Sequence, residues 1–234
     1  MLASGIIFAA LDCDVDAIEE WNRWYDLEHT PMNVALAGVM LSRRYVATPE
    51  LHDARVVAPG APLDGRRGSF LTTYVLSGDP QDAFDAMSTE LPLLYEQDRM
   101  RFPAEKKVVR EGDVFAGTDA FGRDAMKLEP RDVPFVGHAG VIVVQRRGDD
   151  DRAERIAQLH GVTGTWSMES RSRPGLFLDV VFVEDDVGAR ALAIRDVVPH
   201  TADVVFDAPF ELINPLAYPW ADAMRASDLP PTVA

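Results

Sequence analysis

The sequence is short of cysteine and of long apolar runs, and each shortage excludes a class of protein. Cys13 is the only cysteine among 234 residues, so an intrachain disulfide and a cysteine metal cluster are excluded. No apolar run approaches the roughly 20 residues of a membrane-spanning helix. The apolar start, 1–11, has no basic flank and runs into Asp12, Asp14 and Asp16, which favours a strand over a secretory signal. We therefore expect a cytoplasmic protein with no membrane partner.

Basic residues are also scarce. The chain has 23 Lys and Arg against 38 Asp and Glu, a formal net charge of −15. Such a surface repels phosphate backbones, so we expect no nucleic-acid partner. The sequence has no G-x-G-x-x-G after a predicted strand, no G-K-[ST] and no G-x-S-x-G nucleophile elbow. These absences leave a small molecule as the expected partner.

Hydrophobic periodicity predicts the same order of elements, βαββαβ, in both halves of the chain. Two such units can bury their bare sheet faces against each other, which predicts an α+β protein of two ferredoxin-like βαββαβ repeats forming an intrachain barrel. The expected domains are 1–118, a linker over 119–136, and 137–234. The predicted strands are 4–11, 39–47, 69–77, 105–116, 138–145, 162–171, 176–183 and 201–213, and the predicted helices are 15–37, 79–101, 149–160 and 185–197.

The two halves differ in ways that place the site in the first one. Counted back from the matching turns at Gly38 and Gly161, the first helix of the N-terminal half is about three turns longer. The excess is the segment 20–31, which crowds aromatic rings, carboxylates and a histidine together. A loop over 48–68 also has no counterpart, because a short turn replaces it in the second half. We therefore expect one site per chain, with the second half degenerate.

Three short motifs carry a resemblance to a known family. They are W-Y-x-x-x-H-x-P over residues 24–31, L-A-G over 36–38 and S-R-R-Y over 42–45. This pattern resembles the EthD-like branch of the dimeric α+β barrel superfamily. The superfamily includes cyclases, isomerases, decarboxylases, cofactor-free monooxygenases and haem-binding enzymes, so the resemblance implies a fold more firmly than a reaction. Most members dimerise to build the barrel; this chain carries both halves, so a homodimer stays open.

The resemblance implies a role for His29, since relatives use the histidine at the end of the first helix as a base or to bind a substrate oxygen. Tyr25 lies one turn earlier. Haem-binding relatives use an axial histidine in the C-terminal part of a repeat. Three histidines, His138, His160 and His200, are available there, and no motif singles one out.

The residues themselves support His29 and Tyr25 as the catalytic pair. An imidazole can titrate near neutral pH and so take and return a proton. Helical spacing puts Trp21, Tyr25 and His29 on one line, with Trp24 and Glu28 on the next. The alternative for His29 is a structural role at the end of a helix, where the helix dipole favours it.

The remaining candidates line the expected substrate pocket, and each has a packing alternative. The indoles could line the pocket or could be core residues. One arginine could hold a substrate anion or could pair with an acid of the first helix. The histidine of the long loop could belong to a lid or could be a surface residue. The substrate-binding candidates are Trp21, Trp24, Glu28, Arg43, Arg44, Tyr45, Tyr74 and His52.

We expect neither a metal nor another cofactor. His29 and His52 with Glu28 or Asp53 have none of the spacings typical of metal ligands. The sequence predicts a cofactor-independent lyase or isomerase that performs acid/base chemistry (isomerisation, cyclisation, dehydration or decarboxylation) on a small aromatic, polyketide-like or lactone-type metabolite. The alternatives are a non-catalytic barrel that binds a small hydrophobic ligand, or a haem-linked or oxygen-using member of the same superfamily.

Overall fold

The computed structural model describes residues 2–123 and 126–232, and its main feature is a barrel of antiparallel strands with helices outside. Residues 124 and 125 of the predicted linker lie outside this description. The strands are β1 Ala3–Cys13, β2 Val39–Val46, β3 Val56–Val57, β4 Phe70–Ser77, β5 Lys107–Phe121, β6 Gly140–Arg147, β7 Val162–Ser170, β8 Leu176–Val183 and β9 Val204–Leu212.

Short helices flank the strands. The α-helices are α1 Ile18–Trp24, α2 Thr30–Val34, α3 Pro49–Asp53, α4 Pro80–Glu96, α5 Arg152–Ala157, α6 Val187–Val197 and α7 Ala221–Arg225. A π-helical segment, Tyr25–His29, joins α1 to α2, and 3₁₀ turns cover Val15–Ala17, Ala104–Lys106 and Pro130–Phe135. In the described part of the chain, no helix is long and apolar enough to cross a membrane.

Two predicted element boundaries were wrong for identifiable reasons. The second helix was predicted to reach residue 101 but ends at Glu96, because Asp98 and Met100 adopt φ of 57° and 56° and leave the helical region. The predicted loop 48–68 contains α3 and β3. The proline at position 49 is the first residue of α3. A proline is tolerated there because the N–H of the first helical residue has no partner within the helix.

The sheet closes on itself. The strand order is β2-β4-β1-β5-β7-β8-β6-β9, and β9 returns to β2 through the pairs Tyr45↔Leu212 and Val46↔Glu211. Strand β5 is long enough to join the halves, since it pairs with β1 and then, over Phe115–Phe121, with β7. Closure leaves no long free edge. The predicted α+β barrel with helices outside is confirmed.

The inner face of the barrel is packed with side chains from both halves. Phe8 contacts Phe115 edge to face at 6.1 Å between ring centroids, and stacks on Phe206 of the second half at 6.5 Å. Trp166 and Tyr45 are fully buried in the same cluster. Large aromatic side chains contribute most of the apolar area buried in such a core. The barrel interior is therefore a core shared by the two halves.

In each half, a glycine near the start of the first strand lies unusually close to the backbone of a neighbouring strand. A Cβ on Gly5 would lie 2.2 Å from the carbonyl oxygen of Phe115, and a Cβ on Gly140 would lie 2.2 Å from that of Phe210. A Cβ on either glycine would also collide with the first residue of the second main helix of its half, Pro80 of α4 or Val187 of α6. Only glycine allows these approaches, so Gly5 and Gly140 align the two halves residue by residue.

Candidate functional site

The π-helical segment Tyr25–His29 decides where the histidine points. Residues five apart become neighbours in a π-helix, so the His29 ring contacts Trp24 at 4.7 Å between centroids as well as Tyr25 at 4.5 Å. Regular α-helical spacing had placed His29 on the line of Trp21 and Tyr25 alone. The π segment instead puts the imidazole between two aromatic rings, and such segments occur frequently at functional sites.

Those two rings belong to a larger aromatic wall. Trp21 packs against Trp24 at 5.4 Å and against Phe102 at 5.0 Å, while Trp24 and Phe102 are 5.3 Å apart. Trp21 is fully buried, as the packing alternative required, and Trp24 is half-buried. The Lys107 ammonium lies 4.9 Å above the Trp24 ring, a cation–π contact.

His29 is uncharged at neutral pH. Burial lowers the pKa of its imidazole to about 3, and the positive charges of Lys107 and Arg44 lower it further in the same direction. Its Nδ1 is buried and has no hydrogen-bond partner within the described chain. The ring is therefore a neutral group with one buried nitrogen that has no partner in the described chain.

Strand β2 supplies Arg44 to the space beneath the helix. Its guanidinium lies 4.1 Å from the centre of the Tyr25 ring, pairs with Asp26 at 3.1 Å, and donates to the Asn22 side-chain oxygen at 2.5 Å. Both members of the Arg44–Asp26 pair are buried. The structure therefore shows the salt-bridge alternative for Arg44, in which its charge holds the helix to the sheet.

The C-terminal tail completes this network. Tyr218 donates its hydroxyl hydrogen to Asp26 at 2.6 Å, and the backbone N–H of Leu216 donates to the same carboxylate at 2.8 Å. Sequence reasoning named Asp26 with Glu28 as the alternative salt-bridge partner of the arginine and did not select Asn22 or Tyr218. The i, i+4 spacing of Asn22 and Asp26 was the available signal, because it puts two polar groups on the helix face that meets the strands.

We use the term first-half cleft for the region where the helix 18–34 packs over strands β1, β2 and β4. The cavities of 640, 590, 470 and 170 Å³ in this structure lie elsewhere, so a ligand would enter this region by displacing side chains. The register pairs Ser42 with Tyr74 and Arg44 with Thr72, which puts these side chains on the cleft face of the sheet. Tyr74 is buried there, and its hydroxyl accepts a hydrogen bond from the Asn33 amide at 3.3 Å.

Buried polar atoms without partners concentrate in the first-half cleft. Native proteins leave few such atoms, and each calls for an explanation such as a bound water or ligand. Within the described chain, five atoms in and around the cleft are buried and unpartnered: His29 Nδ1, Thr30 Oγ1, Arg44 Nε, and Nε1 of Trp21 and Trp24. The hydroxyls of Ser42 and Thr72 lie beside those of Tyr74 and Tyr25, respectively, and hydrogen-bond to them.

The equivalent place in the second half is filled. Counting four residues from Gly5 and from Gly140 along their strands, Thr72 of β4 corresponds to Asp179 of β8. There Arg146 donates to Asp179 at 2.8 and 3.1 Å, and Ser167 donates to it at 2.7 Å. The second half therefore fills this place with an ion pair, whereas the first half has the neutral pair of Thr72 and Tyr25 there.

Arg43 and Tyr45 lie on the opposite face of β2, inside the barrel. They border a cavity of about 10 Å³ with Trp166 and Phe182, roughly the space of one water molecule. His138 Nδ1 lies 3.0 Å from a backbone carbonyl and so carries the hydrogen; its Nε2 accepts from the Tyr45 hydroxyl at 3.1 Å. The structure therefore separates Arg43 and Tyr45 from His29.

Two further candidates have structural contacts. Glu28 accepts a hydrogen bond from the backbone N–H of Met100 and so fixes the segment after α4. His52 is buried rather than exposed, so its interpretation as a surface residue was wrong; α3 carries it inward to within 3.1 Å of the Ser69 hydroxyl. Burial lowers the pKa of His52 to about 2, and His52 is not part of the first-half cleft.

Comparison with known proteins identifies the fold. No family model matches the chain, and no curated protein matches it in sequence. Among solved structures, a candidate monooxygenase from Fusobacterium nucleatum superposes with a TM-score of 0.50 at 10% identity, covering 92% of this chain and 94% of that one. A candidate chlorite dismutase gives 0.51 at 10% identity, covering 96% and 98%. A DypB variant from Rhodococcus jostii RHA1 in complex with heme gives 0.52 at 10% identity, covering 97% and 96%.

These likenesses concern the fold alone. They show that the chain has the ferredoxin-like architecture of dimeric α+β barrel proteins, as its sequence predicted. Both sequence halves contribute to the match, because each superposition covers more than nine-tenths of the chain.

The histidines of this chain do not fit haem. Pockets of 640, 470 and 590 Å³ are large enough for a cofactor, and none is lined by histidine. His160 lines a pocket of 170 Å³, and His200 Nε2 bonds Asp207 at 2.7 Å. His29 lies between two rings and His138 uses both nitrogens. In the described residues, no group of three or more His, Cys, Asp or Glu is placed to hold a metal ion.

Proposed function

We propose that the chain is an enzyme that binds a small aromatic metabolite at the first-half cleft and uses His29 as a general base, without a prosthetic group. The concentration of unpartnered buried polar atoms in that cleft carries the proposal. A substrate with an enol or phenol oxygen would bond His29 Nδ1 and the Thr30 hydroxyl, the two unpartnered groups at the end of the π-helical segment. The aromatic wall of Trp21, Trp24 and Phe102 would stack against its ring.

The neutral state of His29 suits this role, since only an uncharged imidazole can accept a proton. The lowered pKa makes His29 a weak base, and an anionic substrate would raise that pKa again. A negative charge bound near Lys107 and Arg44 offsets the two cations that lower the pKa of His29. Tyr25, in ring contact with His29 at 4.5 Å, would orient the imidazole.

Oxidation by molecular oxygen is the second candidate reaction. The fold neighbours described as a monooxygenase and a chlorite dismutase favour it over a lyase or isomerase. The same proton abstraction would serve, because it yields an electron-rich carbanion or phenolate that can itself reduce O₂. Oxygen consumption during turnover separates the two reactions.

We also propose that the chain arose from two fused repeats of the EthD-like branch, with domains 1–118 and 137–234 joined by 119–136. The equivalent contacts of Gly5 and Gly140 support two repeats. The turns before β2 and β7 support them as well, since Gly38 and Gly161 have φ of 86° and 79°.

A substrate screen followed by substitution tests the function. Small aromatic enols, phenols and lactones that raise the melting temperature would be assayed for turnover with wild type, His29→Gln and His160→Gln. His29→Gln should keep ligand binding and lose turnover by about 10²-fold or more. His160→Gln removes an exposed imidazole and should keep full activity. A His29→Gln enzyme with wild-type kcat would end the proposal.

A further inference from the structure

An apolar pocket of 590 Å³ lies outside the first-half cleft, against the outer side of its aromatic wall. Its apolar lining comes from Tyr95, Phe102, Pro103 and Ala104, and its charged lining from Arg101, Glu105 and Lys107. The volume lies within the range of sites for small molecules. Phe102 belongs both to the pocket and to the aromatic wall. Its ring lies between the pocket and Trp24, with 5.3 Å between the Phe102 and Trp24 ring centroids.

The two cations of this pocket differ, because Arg101 pairs with Asp98 at 3.4 Å and Lys107 has no acidic partner among the described residues. In the described residues no carboxylate lies within 4 Å of its ammonium, although the chain has 38 acidic residues. Its neighbour Lys106 does pair, with Glu20 at 3.8 Å. Lys107 instead lies over the Trp24 and Trp21 rings at 4.9 and 5.8 Å. A cation over indoles keeps its N–H donors free for an anion.

The segment 96–102 builds the pocket's rim in a fixed conformation. Asp98 and Met100 both have positive φ, which costs free energy in residues other than glycine. The hydrogen bond from the Met100 N–H to the Glu28 carboxylate holds this conformation and ties the rim to the π-helical segment. Glu28 therefore acts as a positioning residue for the pocket.

We propose that this pocket binds an aromatic carboxylate, with the carboxylate on the Lys107 ammonium and the ring against Tyr95 and Phe102. Aromatic lining selects a flat ring, and the unpaired ammonium selects an anion. The inference goes beyond the proposed function, because the pocket is a second site outside the first-half cleft. It places the ligand's charge beside the Lys107 ammonium, which lies 4.9 Å from the Trp24 ring.

Binding of 1-naphthoate and of its neutral isostere 1-naphthamide, measured by calorimetry, tests the proposal. Wild type should bind 1-naphthoate, and Lys107→Gln should bind it at least about fivefold more weakly. Lys107→Arg should retain most of the affinity, and Lys106→Gln, the matched control one residue away, should bind as wild type does. Equal binding of 1-naphthamide to wild type and Lys107→Gln shows that the variant's pocket is folded.

Two results would overturn the proposal: equal affinity of wild type and Lys107→Gln for 1-naphthoate, or no binding of 1-naphthoate to wild type at millimolar concentration. The assay needs no turnover, so its failure is distinct from failure of the catalytic role. His29→Gln should bind 1-naphthoate normally whether or not His29 is the base.

Discussion

The buried, neutral state of His29 makes a quantitative prediction about stability and pH. Burial and two neighbouring cations lower its pKa from the ordinary 6.5 to about 3 in the folded protein. The unfolded chain therefore binds this proton more readily than the folded chain does. The contribution of His29 to stability is fully present above pH 6.5 and is lost as the pH falls from 6.5 towards 3.

The magnitude follows from the two pKa values. Between pH 7.5 and pH 5, linkage gives a loss of about 2 kcal/mol in the free energy of unfolding from this one imidazole. His29→Gln removes the group, so the variant should lose about 2 kcal/mol less than wild type over the same interval. His160→Gln is the matched surface control. Urea unfolding followed by circular dichroism at pH 7.5, 6 and 5 measures all three proteins.

The comparison uses the change with pH, so a constant destabilisation of His29→Gln does not affect it. His52 also has a lowered pKa and contributes equally to wild type and variant. If wild type and His29→Gln lost the same free energy from pH 7.5 to 5, the imidazole would be exposed to water and the description of the cleft would be wrong.

Three further substitutions have expected outcomes. Asp26→Ala leaves the buried Arg44 without its ion-pair partner and should lower the free energy of unfolding by about 3 kcal/mol, which lowers Tm by about 6–12 °C in calorimetry. The control Asp53→Ala removes an exposed ion pair and should change Tm little. Equal Tm shifts in the two variants would contradict a stabilising role for the Arg44–Asp26 pair. Asp179→Ala breaks the buried pair of the second half and should destabilise by about 3–5 kcal/mol while 1-naphthoate affinity at low temperature stays unchanged. Glu28→Ala releases the Met100 N–H and should weaken 1-naphthoate binding severalfold with an unchanged far-ultraviolet spectrum; unchanged affinity would remove its positioning role.

The sequence predicted most of the fold because the strands are strongly patterned. Strand β8, Leu176–Val183, matches its predicted bounds, and β2 and β4 differ by one residue. The helices were less predictable at their ends. Glu96 ends α4 because of backbone conformations at Asp98 and Met100 that no residue type there requires.

The site was predictable in part. The concentration of aromatic residues, acids and a histidine in residues 20–31 is the signal on which the proposed site rests, and that site stays a prediction. The alternation of β2 correctly put Arg43 and Tyr45 on one face and Arg44 on the other. The π-helical segment could not be foreseen, because it depends on packing against the sheet and has no composition of its own. The partnership of Tyr218 with Asp26 could not be foreseen either, because the two residues are almost 200 positions apart and only the folded chain brings them together.

The most direct test of the account is a crystal structure at a resolution that shows ordered water, determined with and without a turnover-competent substrate. The account predicts that water, and then the substrate, bonds His29 Nδ1 or Thr30 Oγ1 in the first-half cleft. A dry cleft in both crystals, with substrate bound elsewhere, would contradict it.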